Sequence, residues 1–422
     1  MNKEEFVIME ILKVEEFLIL KKTSFTVKRI NIIIGPQANG KSILVKLLYF
    51  FRESINDTFL MSIKNKDTQK EFTKKISVLF EKYFPKYTWK DEKINIEYIQ
   101  DDIKIKIFKT NSQRTIKVEY SEYFTARFTL LKNTYKKFLK RQKNDESFIF
   151  DDFWEFKEEY LSDNEKSLYP YTNESIFIPA SRSFFANLQK NIFSFLAENI
   201  DIDPFMKEFG SKYELAKKIY SDTRFDENIF TKIKSHKKLN YIVEQILNGK
   251  YEYKDKQDWI KSKNSTINLA NASSGQQESL PMLLILSIFP FLNQKSMTTY
   301  FIEEPEAHLF PVSQKFIIEL VGLLYNYSQN VVITTHSPYI LTALNNLFLA
   351  YDIKKEKGSD VVNKIIDEEF CLNFDDVSAY TINNGKLKSI IDTEERLIGV
   401  NIIDSVSEEF NTVFDELLSL QD

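Results

Sequence analysis

One segment constrains the fold more than any other: INIIIGPQANGKSILVKLLYFF, Ile30 to Phe51. A near-continuous apolar run of five residues suits a strand buried on both faces of a parallel sheet. It stops at Gly35, and an apolar-periodic helix follows Ser42. Between them, GPQANGKS matches the pattern G-x-x-x-x-G-K-S in full. Gly35 and Gly40 let backbone N–H groups of Pro36–Gly40 curl inward around phosphate oxygens. The helix start adds partial positive charge. Lys41 reaches the outer phosphates of a nucleotide, and Ser42 supplies a hydroxyl ligand for magnesium. The expected nucleotide-binding residues are therefore Gly35, Pro36, Gln37, Ala38, Asn39, Gly40, Lys41 and Ser42.

Two later strands end in polar chemistry. TTYFIEEPEAHLFP, Thr298 to Pro311, delivers Glu303 and Glu304 at a strand's C-terminal end, where α/β sheets bind ligands. Neighbours on a strand point to opposite faces, so the two acids are expected to differ in role. One can hold magnesium and the other can polarise an attacking water. NVVITTHSP, Asn330 to Pro338, ends at His336. The chain has three histidines, and His308 and His336 both follow strand ends beside the acids. A lone histidine is more often structural, but here a neutral imidazole could meet a phosphate or the water.

NASSGQQESLPMLLILSIF, Asn271 to Phe289, joins a polar turn to an apolar helix. Ser274 and Gln277 have capping-box spacing. Ser-Ser-Gly is more than a cap needs in a chain of nine glycines. From the residues alone, Ser273–Gln276 reads either as a helix start only or as a turn that also grips a ligand.

Taken in chain order, GPQANGKS, SSGQQE, FIEEPEAHL and ITTHSP resemble the ATP-binding-cassette ATPases. The likeness is to the soluble branch with the SMC-like chromosome proteins, the double-strand-break repair ATPases and the OLD family. EEPEAHLFP and TTHSPYIL are similar to OLD-like and anti-phage defence ATPases, among them the ATPase subunits of Septu- and PARIS-type systems. The resemblance covers about residues 5–52, 174–182 and 265–350. It implies an α/β ATPase head, with a P-loop mixed or parallel sheet plus an antiparallel lobe, split by mixed and helical insertions.

Residue by residue, the resemblance makes Gly35–Ser42 the P-loop and Ser273, Ser274, Gly275 and Gln276 a signature loop acting in trans. Glu303 becomes the magnesium-side acid with Ser42, Glu304 the catalytic base and His336 the switch histidine. Two departures stand out. Glu303 occupies a position where aspartate is usual, and no Q-loop glutamine is evident. Arg182, in FIPASR, stands where that strand should end and is the candidate switch, touching nucleotide or relaying the ATP signal; the competing reading is a surface ion-pair arginine. The implied cofactors are ATP and Mg²⁺. The implied partners are a second copy closing around ATP, with higher oligomers a further candidate, and an effector nuclease or toxin on a separate chain. Nucleic acid is another candidate partner.

The remaining sequence bounds the organisation. The 422 residues allow two or three domains or one domain with insertions. The expected segments are a head part at 1–53, an insertion of helices and antiparallel meander at 54–173, a head strand at 174–182, a helical insertion at 183–262 and a second head part at 263–422. In the first segment FLIL, FTVKR and INIII read as strands. SAYTINNGKLKSI reads as a hairpin turning at Asn384-Gly385, and residues from Ile398 read as helical.

Hydrophobic residues make up 43% and charged residues 28%, a globular balance. A net charge of −4 offers nucleic acid no bulk attraction. KNTYKKFLKRQK, Lys132 to Lys143, is the sharpest basic run, with Tyr135 and Phe138 interleaved. It reads either as a backbone-tracking helix or, more often, as a solvated face with its aromatics turned inward. KIKSHKK is a weaker example. The single Cys371 excludes an internal disulfide framework. No secretory signal is evident, and the longest apolar run, Leu280 to Leu292, contains two prolines and reads as a core helix. The expectation is a cytoplasmic protein without membrane contact. Neither insertion carries sustained heptads, so no long coiled-coil arm is expected, and too little follows Pro338 for a Toprim nuclease. The rival to a defence ATPase is a DNA repair or chromosome-maintenance ATPase that binds DNA directly.

Overall fold

Apolar-polar alternation, broken by a register shift between Val14 and Glu16, puts alternate side chains of β1 (Glu10–Phe17), β4 (Ile94–Gln100) and β5 (Ile103–Lys109) on one face. Leu12, Val14, Ile96, Tyr98, Ile105 and Ile107 are buried there. With β2 (Leu20–Val27) and β6 (Lys117–Tyr120) these strands form an antiparallel sheet of order β2-β1-β4-β5-β6. The computed structural model describes residues 9–142, 152–161, 173–188, 202–221, 236–292 and 297–399, with 412, 414 and 417.

This sheet belongs to the first of two units, which comprises Met1–Val27, Ala38–Ser175 and Asn383–Leu387. The antiparallel meander expected within residues 54–173 is present as β4 to β6. FLIL is not a strand: Phe17 pairs with Leu20, and Leu18 turns the chain at φ 50°. Two helices bring aromatic rings to the sheet, α1 (Lys41–Ile55) and α3 (Gln69–Tyr83), and α2 (Asp57–Lys64) packs on both. Phe51 of α1 stacks on Tyr98 with centroids 5.1 Å apart, and Phe80 of α3 meets Phe17 at 5.6 Å. A capping box between Thr68 and Glu71 starts α3.

The basic run lies on α4 (Glu122–Gln142). Tyr135 and Phe138 are buried, and both pack on Phe156 of α5 (Asp152–Tyr160), at 4.9 and 5.7 Å. The inward-aromatic reading is the right one, because a helix spacing of three puts both rings on one face. Lys143 lies outside the described residues.

The second unit comprises Lys28–Gln37, Ile176–Ile382 and Lys388–Asp422. Its sheet has the order β14-β13-β3-β12-β11-β7. The members are β3 (Ile30–Ile34), β7 (Glu174–Ile178), β11 (Thr298–Glu303), β12 (Asn330–Thr335), β13 (Val377–Asn383) and β14 (Lys386–Ser389). β3 is parallel to both β12 and β13, and β12 to β11. Ile34 pairs with Thr335 and Glu303 with Thr334, so β3, β11 and β12 end at one edge. A buried parallel strand needs apolar residues on both faces, and β3 is buried at all five positions. The mixed α/β architecture agrees with expectation.

Around this sheet lie α6 (Pro204–Ser221), α7 (His236–Leu247), α8 (Ser274–Leu292), α9 (Pro311–Asn326) and α10 (Pro338–Lys357). The apolar run is the core helix α8, which carries Pro281 and Pro290 internally. The stretch 183–262, read as mostly helical, also contains a hairpin of β8 (Lys250–Lys254) and β9 (Gln257–Lys261), extended by β10 (Thr266–Asn268). In KIKSHKK, residues 232–235 lie outside the described residues, while Lys238 bridges Asp367 and Glu369 at 2.7 and 3.0 Å. The late hairpin turns where expected, with Asn384 at φ 47° and Gly385 at φ 71°, both left-handed as a two-residue type I′ turn requires. The C-terminal segment read as helical falls mostly outside the described residues. No described helix is long and apolar enough to cross a membrane.

Candidate active site

β3 runs straight into GPQANGKS, and α1 begins at Lys41. Pro36, Gln37 and Ala38 are exposed, with Ala38 at φ 59° and Gly40 at φ 101°. The left-handed values turn successive N–H groups to one side, as a phosphate cradle requires. Glycine suits Gly40 because of its left-handed φ, and a Cβ there would also lie 2.7 Å from Leu20 Cδ2 and push that side chain aside. No side chain caps the N-terminus of α1, which leaves its first N–H groups suited to an anion. Asn39 does not point its oxygen at a ligand: Oδ1 accepts from the Asn384 N–H at 2.7 Å. An Asn oxygen accepts rather than donates, so this is consistent with a structural rather than a phosphate-binding side chain. Lys41 is buried and Ser42 exposed.

The two acids part company at the edge of the second unit's sheet. Glu303 ends β11 and is 5% exposed. Its Oε2 accepts from the Ala180 N–H at 3.3 Å, whereas Oε1 is buried without a hydrogen-bond partner. Glu304 leaves the strand at φ 43°. The expected divergence of the acids is therefore produced by a left-handed residue and not by strand alternation. Such backbone costs of order 1–3 kcal/mol and persists only where surrounding bonds over-determine it. Here the Glu304 N–H donates to Thr334 O at 2.9 Å, and its carbonyl accepts from Ala307 N–H at 3.0 Å.

Oε1 of Glu304 lies 3.0 Å from Nε2 of His336, both side chains being partly exposed. A third acid, Glu306, holds His336 from behind. Its Oε1 accepts from the His336 N–H at 2.8 Å and from the Thr335 hydroxyl at 2.6 Å. Ser337 then donates its hydroxyl to Gln314 at 2.6 Å, joining the starts of α9 and α10. Sequence reasoning passed over Glu306 because an acid in a loop reads as solvated. The signal was its place one residue after the proline of EEPEAHL.

Arg182, expected as a nucleotide contact or signal switch and otherwise as a surface ion pair, is fully buried. The surface reading is wrong. Its guanidinium donates to the carbonyls of Glu278, Pro179, Glu303 and Glu304 at 3.0, 2.8, 2.7 and 3.1 Å. Burial pulls its pKa below the ordinary arginine value, opposed by the charges of Glu278, Glu306, Glu303 and Glu304.

The polar turn before α8 is a capping box set one residue earlier than expected. The pair is Ser273 and Gln276, not Ser274 and Gln277. Gln276 Oε1 accepts from the Ser273 N–H and hydroxyl at 3.1 Å, and the Gln276 N–H donates back to Ser273 Oγ at 3.4 Å. Gln276 also donates to Leu247 O at 2.7 Å, and Gln277 donates to Leu269 O at 3.1 Å. Ser273 and Ser274 are exposed. Gly275 does permit close approach, but of this chain: its absent Cβ would stand 2.8 Å from the His308 carbonyl. His308, at φ 59°, contributes its backbone to that contact.

No group of three or more His, Cys, Asp or Glu among the described residues could hold a metal by itself. An orphaned carboxylate oxygen on Glu303 fits a different kind of site. Magnesium uses one or two protein oxygens and takes the remainder from water and phosphate. Glu303 is an oxygen donor of that hard type.

Residues 157–341 match the AAA ATPase domain family, which is under half of the chain and leaves out Gly35–Ser42. No curated protein matches. Among solved structures, the SMC head domain from Thermotoga maritima aligns at 9% identity over 90% of this chain and 98% of that one, with a TM-score of 0.37. An Smc head domain with extended coiled coil, bound to the C-terminal domain of ScpA derived from Pyrococcus furiosus, aligns at 10% over 96% and 99%, TM-score 0.36. The recombination mediator RecF in the RecFOR pathway aligns at 12% over 91% and 98%, TM-score 0.35. Likeness at these scores carries nothing about function; what the chain shares with a known family is the ATPase-domain match.

Proposed function

We propose that this chain is an ATPase that closes as a homodimer around ATP and regulates a partner effector. The carrying observation is the pair Glu304–His336, 3.0 Å apart at the sheet edge from which Gly35 departs. A carboxylate held by an imidazole at a strand end is suited to take a proton from water. With Glu304 ionised, Nε2 of His336 must carry the hydrogen that bonds it. The attacking water then gives its proton to Glu304 as it bonds to the γ-phosphorus, and the bond to the bridging oxygen of ADP breaks.

The P-loop residues Gly35–Ser42 hold the phosphates in this reading, with Lys41 facing their charge. Glu303 is the acid that would hold Mg²⁺, and magnesium when bound supplies neutralisation of phosphate charge; the hydroxyl of Ser42 is the ligand that the P-loop pattern itself implies. Ser273–Gln276 serve as the signature turn toward a second copy. The segments 1–53, 174–182 and 263–422 form the head, and 54–173 and 183–262 are insertions. An ATPase-domain match over 157–341 supports the hydrolytic class.

The finer role, control of an effector nuclease in anti-phage defence, is supported by the resemblance of EEPEAHLFP and TTHSPYIL alone. The rival reading, a repair or chromosome-maintenance ATPase binding DNA itself, loses its best local feature. Tyr135 and Phe138 are buried against α5 and unavailable for stacking on bases.

The test is phosphate release from Mg-ATP. Glu304→Gln should lower turnover about 10²–10⁴-fold, the usual cost of a positioned base, while ATP still binds and the dimer persists on size exclusion. Wild-type turnover in Glu304→Gln would remove Glu304 from this role.

A further inference from the structure

Arg182 joins three separate parts of the second unit's site region. It follows β7 through a turn in which Ser181 stands at φ 60°. Its backbone N–H donates to Glu278 Oε2 at 2.8 Å, and the neighbouring Ser183 hydroxyl donates to Glu278 Oε1 at 2.8 Å. Glu278 sits in the second turn of α8, the helix started by the Ser273–Gln276 box. From there the guanidinium reaches the carbonyls of Glu303 and Glu304.

The choice of acceptors is informative. The guanidinium bonds the backbone of the two acids and leaves their carboxylates to other partners. It therefore sets where the chain turns at Glu304, the left-handed residue whose conformation needs outside support. A buried ion pair adds little net stability, and an apolar replacement of equal volume is often as stable. Its use here lies in geometry, because the planar fork fixes several acceptors at once.

We infer that Arg182 is a positioning residue for hydrolysis. It locks the backbone at Glu303–Glu304 and ties that lock, through Glu278, to the helix behind the Ser273–Gln276 turn. Engagement of the turn by an anionic ligand is then felt at Glu304 by way of two buried side chains. This rests on the ATPase reading above and adds a second component to its machinery.

The experiment compares wild type, Arg182→Lys and Glu278→Gln. Lysine keeps the charge but cannot span the four carbonyls; glutamine keeps the size of Glu278 but turns an NH₂ toward one of its two donors. For each protein, ATP affinity is read by calorimetry, turnover by phosphate release and folding by thermal melting. Arg182→Lys should lose about 10–100-fold in kcat, as supporting residues behind a reacting group do, with ATP affinity unchanged. Glu278→Gln should lose turnover in the same direction.

A merely structural arginine would also change turnover, so the deciding readout is coupling. In a Glu304→Gln background, Arg182→Lys should bring no further loss, because it acts through Glu304. Full additivity overturns the inference, as does wild-type kcat in folded Arg182→Lys. Should Arg182→Lys fail to melt cooperatively, Glu278→Gln in both backgrounds decides by the same criterion. If wild type itself hydrolyses no ATP, the parent reading fails; if wild type turns over and the variants match it, only this inference does.

Discussion

Nε2 of His336 stands 3.0 Å from Oε1 of Glu304, and the backbone of each residue is anchored too. The main chain of His336 bonds Glu306, and the main chain of Glu304 bonds Arg182. The imidazole then acts on the carboxylate by orienting it. His336→Ala should lower kcat about 10–100-fold, the range for an orienting partner, with little change in ATP affinity. The loss should be smaller than for Glu304→Gln. Equal losses in the two variants would instead make His336 a direct participant.

Glu306 gives a sharper contrast between two substitutions. Alanine would strand the His336 N–H and the Thr335 hydroxyl in a buried place, each costing about 1–3 kcal/mol. Glutamine retains an oxygen where Oε1 now accepts both. Chemical denaturation should show Glu306→Ala clearly destabilised and Glu306→Gln much less so, with turnover following the same order. A reversed order would mean that the charge of Glu306, and not its acceptor, is what the site needs.

These residues mark how far the sequence could be read. The P-loop was legible because a phosphate cradle is local: glycine, lysine and serine at set spacing, between a strand and a helix. Glu303, Glu304 and His336 were legible because strand ends deliver them. Arg182 was noticed by position, but its burial was not, since its four acceptors are main-chain carbonyls and any sequence supplies those. The capping box was misplaced by one residue because both serines have a glutamine three positions on, and only the backbone at Ser273 decides between them. FLIL was read as strand because its apolar composition concealed a two-residue turn, which carries no glycine. Glu306 was missed because the partner it holds is a backbone N–H thirty residues away.

Alkaline stability follows from a second buried cluster, remote in role from hydrolysis. Tyr213 and Tyr251 donate their hydroxyls to the two oxygens of Asp258 at 2.9 and 2.7 Å. Burial raises both phenol pKa values well above the ordinary range, and the charge of Asp258 raises them further. A raised folded pKa contributes stability that is whole below the unfolded value, about 10 for tyrosine, and is lost as pH rises toward the folded value. Urea melts should be flat in this respect near neutrality and decline above about pH 10. The double variant Tyr213→Phe, Tyr251→Phe should start less stable, for want of two hydrogen bonds, and decline less steeply. An identical slope in the two proteins would assign the alkaline loss elsewhere.

The Ser273–Gln276 turn can be separated into its two proposed jobs by choosing the right residue. Gly275→Glu is a poor probe, because any Cβ there would meet the His308 carbonyl and disturb the loop after Glu304 directly. Ser273 is exposed, and its hydroxyl serves the helix start. Ser273→Ala should cost about 1 kcal/mol of stability, the usual worth of an N-cap. Ser273→Arg should cost a similar amount in stability, since the side chain can extend into solvent. The two variants differ in what they do to a second copy. Alanine leaves room at the turn, whereas arginine blocks it sterically. Turnover should therefore fall modestly in Ser273→Ala and by at least about 100-fold in Ser273→Arg, in line with loss of an assembled site, while each variant still binds ATP. Sedimentation of Glu304→Gln with ATP should show a dimer that the added Ser273→Arg dissolves. If both variants hydrolyse ATP in proportion to their stability alone, the turn is a helix cap and the site is complete within one chain.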